Sequence, residues 1–145
     1  MPERVIVLVE DNANDEELTL RAFRKASIGN RVVVVRDGAE ALDYFFFRGA
    51  HAGRPASELA QVVLLDLKLP KVDGLDVLRT LRADERTRLI PVVILTSSAE
   101  DQDLVRGYGL GANSYVRKPV DFTQFVEAVR QLGLYWLVIN QAAPA

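Results

Sequence analysis

The stretch VVLLDLKLPKVDG (62–74) climbs through four branched apolar residues to a carboxylate, Asp66, and is then broken by Pro70 and Gly74. A run this short, apolar at every position, reads as a strand buried on both faces, the mark of a parallel sheet. The same pattern recurs at VIVLV (5–9), VVVV (32–35), VVIL (92–95) and, more weakly, SYV (114–116). Between these runs the apolar residues keep helical spacing. Leu18, Phe23 and Ala26 mark a first helix, and Ala41, Leu42, Phe45 and Phe46 a second. Leu75, Val77, Leu78 and Leu81 mark a third, and Leu104, Val105, Tyr108 and Leu110 a fourth. Phe122, Phe125, Val126, Val129 and Leu132 complete a fifth, close to the i, i+3, i+4, i+7 stripe. Strands alternating with helices predict an α/β fold, a doubly wound five-stranded parallel sheet with helices on both faces.

The punctuation agrees. Asn12 to Asp15 offer N-cap chemistry for the first helix, and Asp37-Gly38 opens the second. Gly109 and Gly111 are placed to close the fourth in left-handed conformation. The string GYGLGA (107–112) comes after a helix rather than a strand, which argues against a dinucleotide loop. RGAHAGRPASELAQ (48–61) is small, polar and interrupted by Gly and Pro, so it reads as a surface loop with a solvated His51.

Composition narrows the function. The 145 residues predict one domain spanning 1–145, with 133–145 extending the last helix. With no cysteine there is no disulfide framework, thiolate metal site or thiol nucleophile. A formal charge of −2 gives no electrostatic footprint for nucleic acid. No apolar run approaches the ~20 residues that span a bilayer, and the N-terminus lacks the form of a signal peptide. The expectation is a soluble, cytoplasmic protein.

In an open parallel sheet, ligands bind outside the carboxyl ends of the strands. The residues immediately after the apolar runs are therefore informative: Glu10-Asp11, Asp66, Thr96-Ser97-Ser98 and Lys118-Pro119. Carboxylates converging on one edge repel one another unless a cation neutralises them. An all-oxygen donor set suits Mg²⁺, several of its waters retained. Lys118 adds a fixed positive charge and Thr96 a hydroxyl. A cation, a lysine and a hydroxyl around one carboxylate form a cradle for a phosphoryl group, with Asp66 as the nucleophile.

The motifs VLVEDN (7–12), LLDLKLPKVDG (64–74), VILTSS (93–98) and SYVRKPVD (114–121) resemble those of response-regulator receiver domains, in the same order and spacing over essentially the whole chain. The resemblance implies the flavodoxin-like receiver fold, strand order 2-1-3-4-5, and a two-component signalling switch that takes phosphate from a sensor histidine kinase or phosphotransfer protein. It implies Asp66 as phosphoacceptor. Asp11, Asp66 and the backbone carbonyl of Lys68 would be ligands of Mg²⁺, with Glu10 acting directly or through water. Thr96 and Lys118 would bind phosphoryl oxygens, the Lys118–Pro119 bond would be cis, and Tyr115 would be the switch aromatic. Lys68 and Ser98 match positions that tune loss of the phosphate. More narrowly, LDLKLPKVDGLDVL, IPVVILTSSAEDQD, GLGANSYVRKP and the late YW pair resemble the receivers paired with bacterial phytochrome kinases.

Taken singly, each residue has an ordinary reading. Asp11, Thr96 and Ser98 could cap helices, Glu10 and Lys118 could be solvated, and Tyr115 could be core. Their joint placement at strand ends favours the switch over a degenerate receiver that serves only as an interaction module. An aspartyl-phosphate hydrolase would want an acid two residues after its nucleophile, where this chain has Lys68. A flavin-binding relative would want a hydroxyl-rich loop in place of EDNAND (10–15). With no DNA-binding segment expected after the fifth helix, output should be a protein contact or a phosphate relay. LYWLVI (134–139) is apolar all round, which one sheet face cannot bury. It reads as a homodimer surface on the last helix and tail, the competing reading being that it covers the chain's own core.

Overall fold

Strand β1 (Glu3–Val9) is an interior strand of the sheet and shows why the runs are apolar throughout. Val5, Val7 and Val9 point into one core cluster and Ile6 and Leu8 into another, as the two-residue period of a strand requires. In the computed structural model, which describes residues 3–67, 69–96, 108–117 and 122–133, β1 is flanked by β2 (Val32–Val35) and β3 (Glu58–Leu65). Beyond β3 lie β4 (Val92–Thr96) and β5 (Ser114–Arg117), giving a parallel sheet of order β2-β1-β3-β4-β5. The expected doubly wound fold and strand order are what the chain adopts.

Helices cover both faces. α2 (Gly38–Phe45) and α3 (Gly74–Ala83) place Ala41, Tyr44, Phe45, Leu75, Val77, Leu78 and Leu81 on the Val5-Val7-Val9 side. α1 (Ala13–Lys25) and the C-terminal helix α4 (Phe122–Gly133) place Ala22, Phe23, Val126 and Val129 on the other. Asn12 caps α1 by accepting the Asp15 N–H at 3.0 Å, and Asp37 caps α2 by accepting the Glu40 N–H at 2.7 Å. Of the helix expected around Leu104 to Leu110, most lies outside the described residues; Tyr108 and Gly109 are helical. Gly111, just beyond, is in left-handed conformation, φ 100°, and Gly109 does not adopt it. The segment 134–145, with LYWLVI, also lies outside the described residues. No described helix is long and apolar enough to cross a membrane.

One expectation is corrected. The polar segment 48–61 is not a loop with a solvated histidine: residues 49–51 form a 3-10 turn and β3 begins at Glu58. The segment folds back onto α2 through its own donors. His51 Nε2 lies 2.9 Å from Glu40 Oε2, with the histidine side chain only 21% exposed. Arg54 inserts between the Tyr44 and Phe47 rings, 4.1 and 4.0 Å from their centroids, and donates to the Tyr44 carbonyl at 2.6 Å. Polar composition signals a preference for hydrogen bonds, and here the end of a helix and two aromatic faces supply them instead of water. Behind this segment, Glu58 is buried and accepts from the Tyr44 hydroxyl and the Arg31 guanidinium.

A second polar tie closes the far side. Arg82, at the end of α3, donates to the carbonyls of Arg88, Ile90 and Gly111 and to Asn113 Oδ1, at 3.2, 2.8, 2.9 and 2.9 Å. That fan joins the approaches to β4 and β5, a geometry the rigid guanidinium fork provides and an ammonium does not.

Candidate functional site

Because every strand is parallel, all five carboxyl ends face one edge. β1 ends at Val9 opposite the last residue of β3, Leu65, so Glu10 and Asp66 emerge side by side. The ladder continues past them: the Glu10 N–H donates to the Val35 carbonyl at 3.0 Å and the Asp66 N–H to the Val9 carbonyl at 3.1 Å. Glu10 is 1% exposed and Asp66 8%. Two carboxylates are thus brought together near the protein interior by the register of adjacent strands.

A third joins them. Glu10, Asp15 and Asp66 each bring a carboxylate oxygen within 4.8 Å of the others. Asp15 stands in the first turn of α1, where the helix N-terminus favours negative charge. Asp11 is exposed and lies outside this trio. The Asn12 N–H, one residue on, turns back to Glu10 Oε2 at 3.4 Å. Sequence reasoning assigns Asp15 to helix capping and overlooks it here. Its position in the first turn after the β1 edge is visible in the chain, but the rotation of α1 about its axis, which aims it at Glu10 and Asp66, is not.

Of the other expected site residues, Thr96 is the last residue of β4, paired with Arg117 of β5. Tyr115 lies in β5 opposite Ile94. Arg117 ends β5, at the same edge of the parallel sheet as Asp66. Lys68, Ser98, Lys118 and the Lys118–Pro119 bond lie outside the described residues.

Behind Asp66 the chain turns sharply. The Gly74 N–H donates to the Leu67 carbonyl at 2.9 Å, and a Cβ on Gly74 would fall 2.2 Å from the Asp66 carbonyl oxygen. Only glycine lets α3 start this close beneath the strand end. Asp73 caps that helix, accepting the Leu75 N–H at 3.0 Å.

The donor set can be tested against a cation. Three carboxylates this close carry up to three negative charges, and their oxygens are hard ligands with no sulfur or imidazole among them. A divalent hard cation such as Mg²⁺ or Mn²⁺ fits both the charge and the chemistry.

The chain matches the response regulator receiver domain family model over residues 6–130. Among curated relatives, a probable methanogenesis regulatory protein, FilR2, of Methanothrix harundinacea is 44% identical over 95% of this chain and 86% of its own. Response regulator Rcp1 of Synechocystis is 32% identical over 94% and 90%. Among solved structures, the bacteriophytochrome response regulator AtBRR is 55% identical, with TM-score 0.78 over 97% of this chain and 100% of its own. The phosphorylated cyanobacterial phytochrome response regulator RcpA superposes with TM-score 0.88 at 33% identity over 99% and 100%. The Mn²⁺-bound form of Rcp1 does so with TM-score 0.87 at 29% identity, over the same shares. A five-stranded sheet of order 2-1-3-4-5, a carboxylate cluster at its carboxyl edge and a match over most of the chain agree: this protein belongs to the response-regulator receiver domains, close to the phytochrome response regulators.

Proposed function

We propose that the protein is a phosphorylation-dependent switch of a two-component system, in which a sensor histidine kinase passes a phosphoryl group to Asp66. The observation that carries this reading is the meeting of Glu10, Asp15 and Asp66 where the central strands of a parallel sheet end. A carboxylate oxygen of Asp66 attacks phosphorus, the N–P bond of the phosphohistidine breaks, and its electron pair returns to the imidazole nitrogen, which is then protonated from solvent. Asp11, Asp66 and the Lys68 carbonyl would hold Mg²⁺, with Glu10 and Asp15 completing the acidic ring directly or through water. When bound, the cation supplies charge neutralisation for the phosphoryl oxygens. Thr96 and Lys118 would bind two of those oxygens, and Tyr115 would change rotamer as Thr96 shifts.

On this reading the protein is a cytoplasmic phosphoacceptor that gains and sheds its own phosphate with Mg²⁺, not a turnover enzyme. The likeness to AtBRR and RcpA supports a phytochrome kinase as the donor. The apolar LYWLVI run supports self-association through 133–145, with a second copy burying Trp136. An unchanged solution mass in Trp136→Glu would rule that interface out.

The test of the switch itself is intact mass spectrometry after incubation with Mg²⁺ and acetyl phosphate. One phosphoryl adduct that requires Mg²⁺ is the expected result. Absence of any adduct at saturating Mg²⁺ would leave an interaction module. Steady release of phosphate without an accumulating adduct would indicate a hydrolase.

A further inference from the structure

The loop between Asp66 and α3 does not rest on its own strand alone. Pro70, Lys71 and Val72 form a tight turn closed by the Val72 N–H to the Pro70 carbonyl at 2.8 Å, with Lys71 at φ 68°. A lysine in left-handed conformation is strained. The turn is seated against the first residues of α2, which lie far from it in sequence. The Gly38 N–H donates to the same Pro70 carbonyl at 3.3 Å, and Lys71 Nζ lies 3.5 Å from Asp37 Oδ2. The fit leaves no room: a Cβ on Gly38 would stand 1.9 Å from the Val72 carbonyl oxygen.

Asp37 thus has two tasks. One oxygen caps α2 through the Glu40 N–H, and the other faces the loop lysine. The loop itself is held at both ends, by Gly74 beneath Asp66 and by Gly38 beneath its turn.

We propose that the first turn of α2 is part of the support of the acidic site, with Gly38 and Asp37 as positioning residues that seat the Pro70–Val72 turn and, through it, the loop that leaves Asp66, for the cation. This rests on the receiver reading given above. Neither residue would touch the cation or the phosphoryl group; both act through the loop. Outer supports of this kind typically change metal affinity by ~10–100-fold when lost.

The experiment is a calorimetric Mg²⁺ titration of the unphosphorylated protein, wild type beside Gly38→Ala and Lys71→Gly, with melting temperatures measured in EDTA. Gly38→Ala should bind Mg²⁺ roughly tenfold more weakly. It should also melt lower, so affinity and stability fall together. Lys71→Gly separates the two effects. Glycine relieves the left-handed strain, holding the metal-free melting temperature at or above wild type, while loss of the Asp37 contact and a looser loop weaken Mg²⁺ binding several-fold. If Gly38→Ala fails to fold, Lys71→Gly decides the matter. Wild-type Mg²⁺ affinity in either folded variant overturns the proposal and leaves the receiver reading intact. No Mg²⁺ binding by the wild type overturns both.

Discussion

Asp66→Asn should abolish the Mg²⁺-dependent phosphoryl adduct completely, as read by intact mass spectrometry, because an amide cannot supply the anionic oxygen that attacks phosphorus. The same variant should be more stable than wild type when Mg²⁺ is absent. Two unit charges 4.8 Å apart repel by roughly 3 kcal/mol at an effective dielectric of 20, and Glu10 and Asp66 are both shielded from water. Even a third of that relief would raise the melting temperature by about 3 °C. Adding Mg²⁺ should stabilise wild type and leave Asp66→Asn nearly unmoved. Asp15→Asn tests the neighbouring carboxylate and should behave by degree. It should keep the adduct, since the nucleophile remains, but need several-fold more Mg²⁺ to form it. An adduct of undiminished yield in Asp66→Asn would place the phosphoacceptor elsewhere. Unchanged Mg²⁺ dependence in Asp15→Asn would reduce that residue to a helix-terminus charge.

The second large effect lies at the other end of the same strand. Glu58→Ala should lower stability by about 3 kcal/mol, because it strands the buried Tyr44 hydroxyl, empties a packed buried site and removes one of the two carboxylates that hold Arg31, the other being Glu3. For a chain of this size that is a fall of roughly 10 °C in melting temperature. Glu58→Gln, which keeps the shape and an acceptor, should cost less than half as much. Both variants should still take phosphate on Asp66, since β3 separates the two positions by its full length, about 25 Å.

The pH dependence carries the same signature. Burial alone would push the Glu58 carboxyl up, but the Tyr44 hydroxyl and then Arg31, with Arg54 behind, hold it below the usual carboxylate range. A depressed folded pKa means the contribution is present above the unfolded value of about 4.3 and is lost as pH falls through the folded one. Burial, and next its bond to Glu58, push the Tyr44 phenol up. That contribution is therefore whole below the unfolded value of about 10 and is lost as pH rises from there through the raised folded value. Acid melts of wild type and Glu58→Gln should converge below about pH 4; a constant gap down to pH 2 would refute the assignment.

Much of this is legible in the chain itself. β1, β3 and β4 can be located because a strand buried on both faces must be apolar at every position, as Val5 to Val9, Val62 to Leu65 and Val92 to Leu95 are, while β2, at the sheet edge and only partly buried, is located by its run of valines. Asp37 and Asn12 announce helix starts because a side-chain oxygen at that place satisfies an otherwise orphaned N–H. Glu10 and Asp66 can be assigned to one edge because parallel strands all end on the same side. The segment 48–61 misleads because its polar residues carry no period, and nothing local says whether an arginine's donors meet water or a helix end.

The parallel sheet, its helices and the edge where the acids gather all follow from local periodicity and the direction of the strands, and so are written in the chain. That Asp15 joins Glu10 and Asp66, that Gly38 seats the loop behind Asp66, and that Tyr44 and Arg31 meet at Glu58 is visible in the folded molecule and not in the chain. Those relations depend on how a helix is rotated about its axis and how closely two distant backbones approach. Such quantities are set by packing across the whole core, and no stretch of neighbouring residues encodes them.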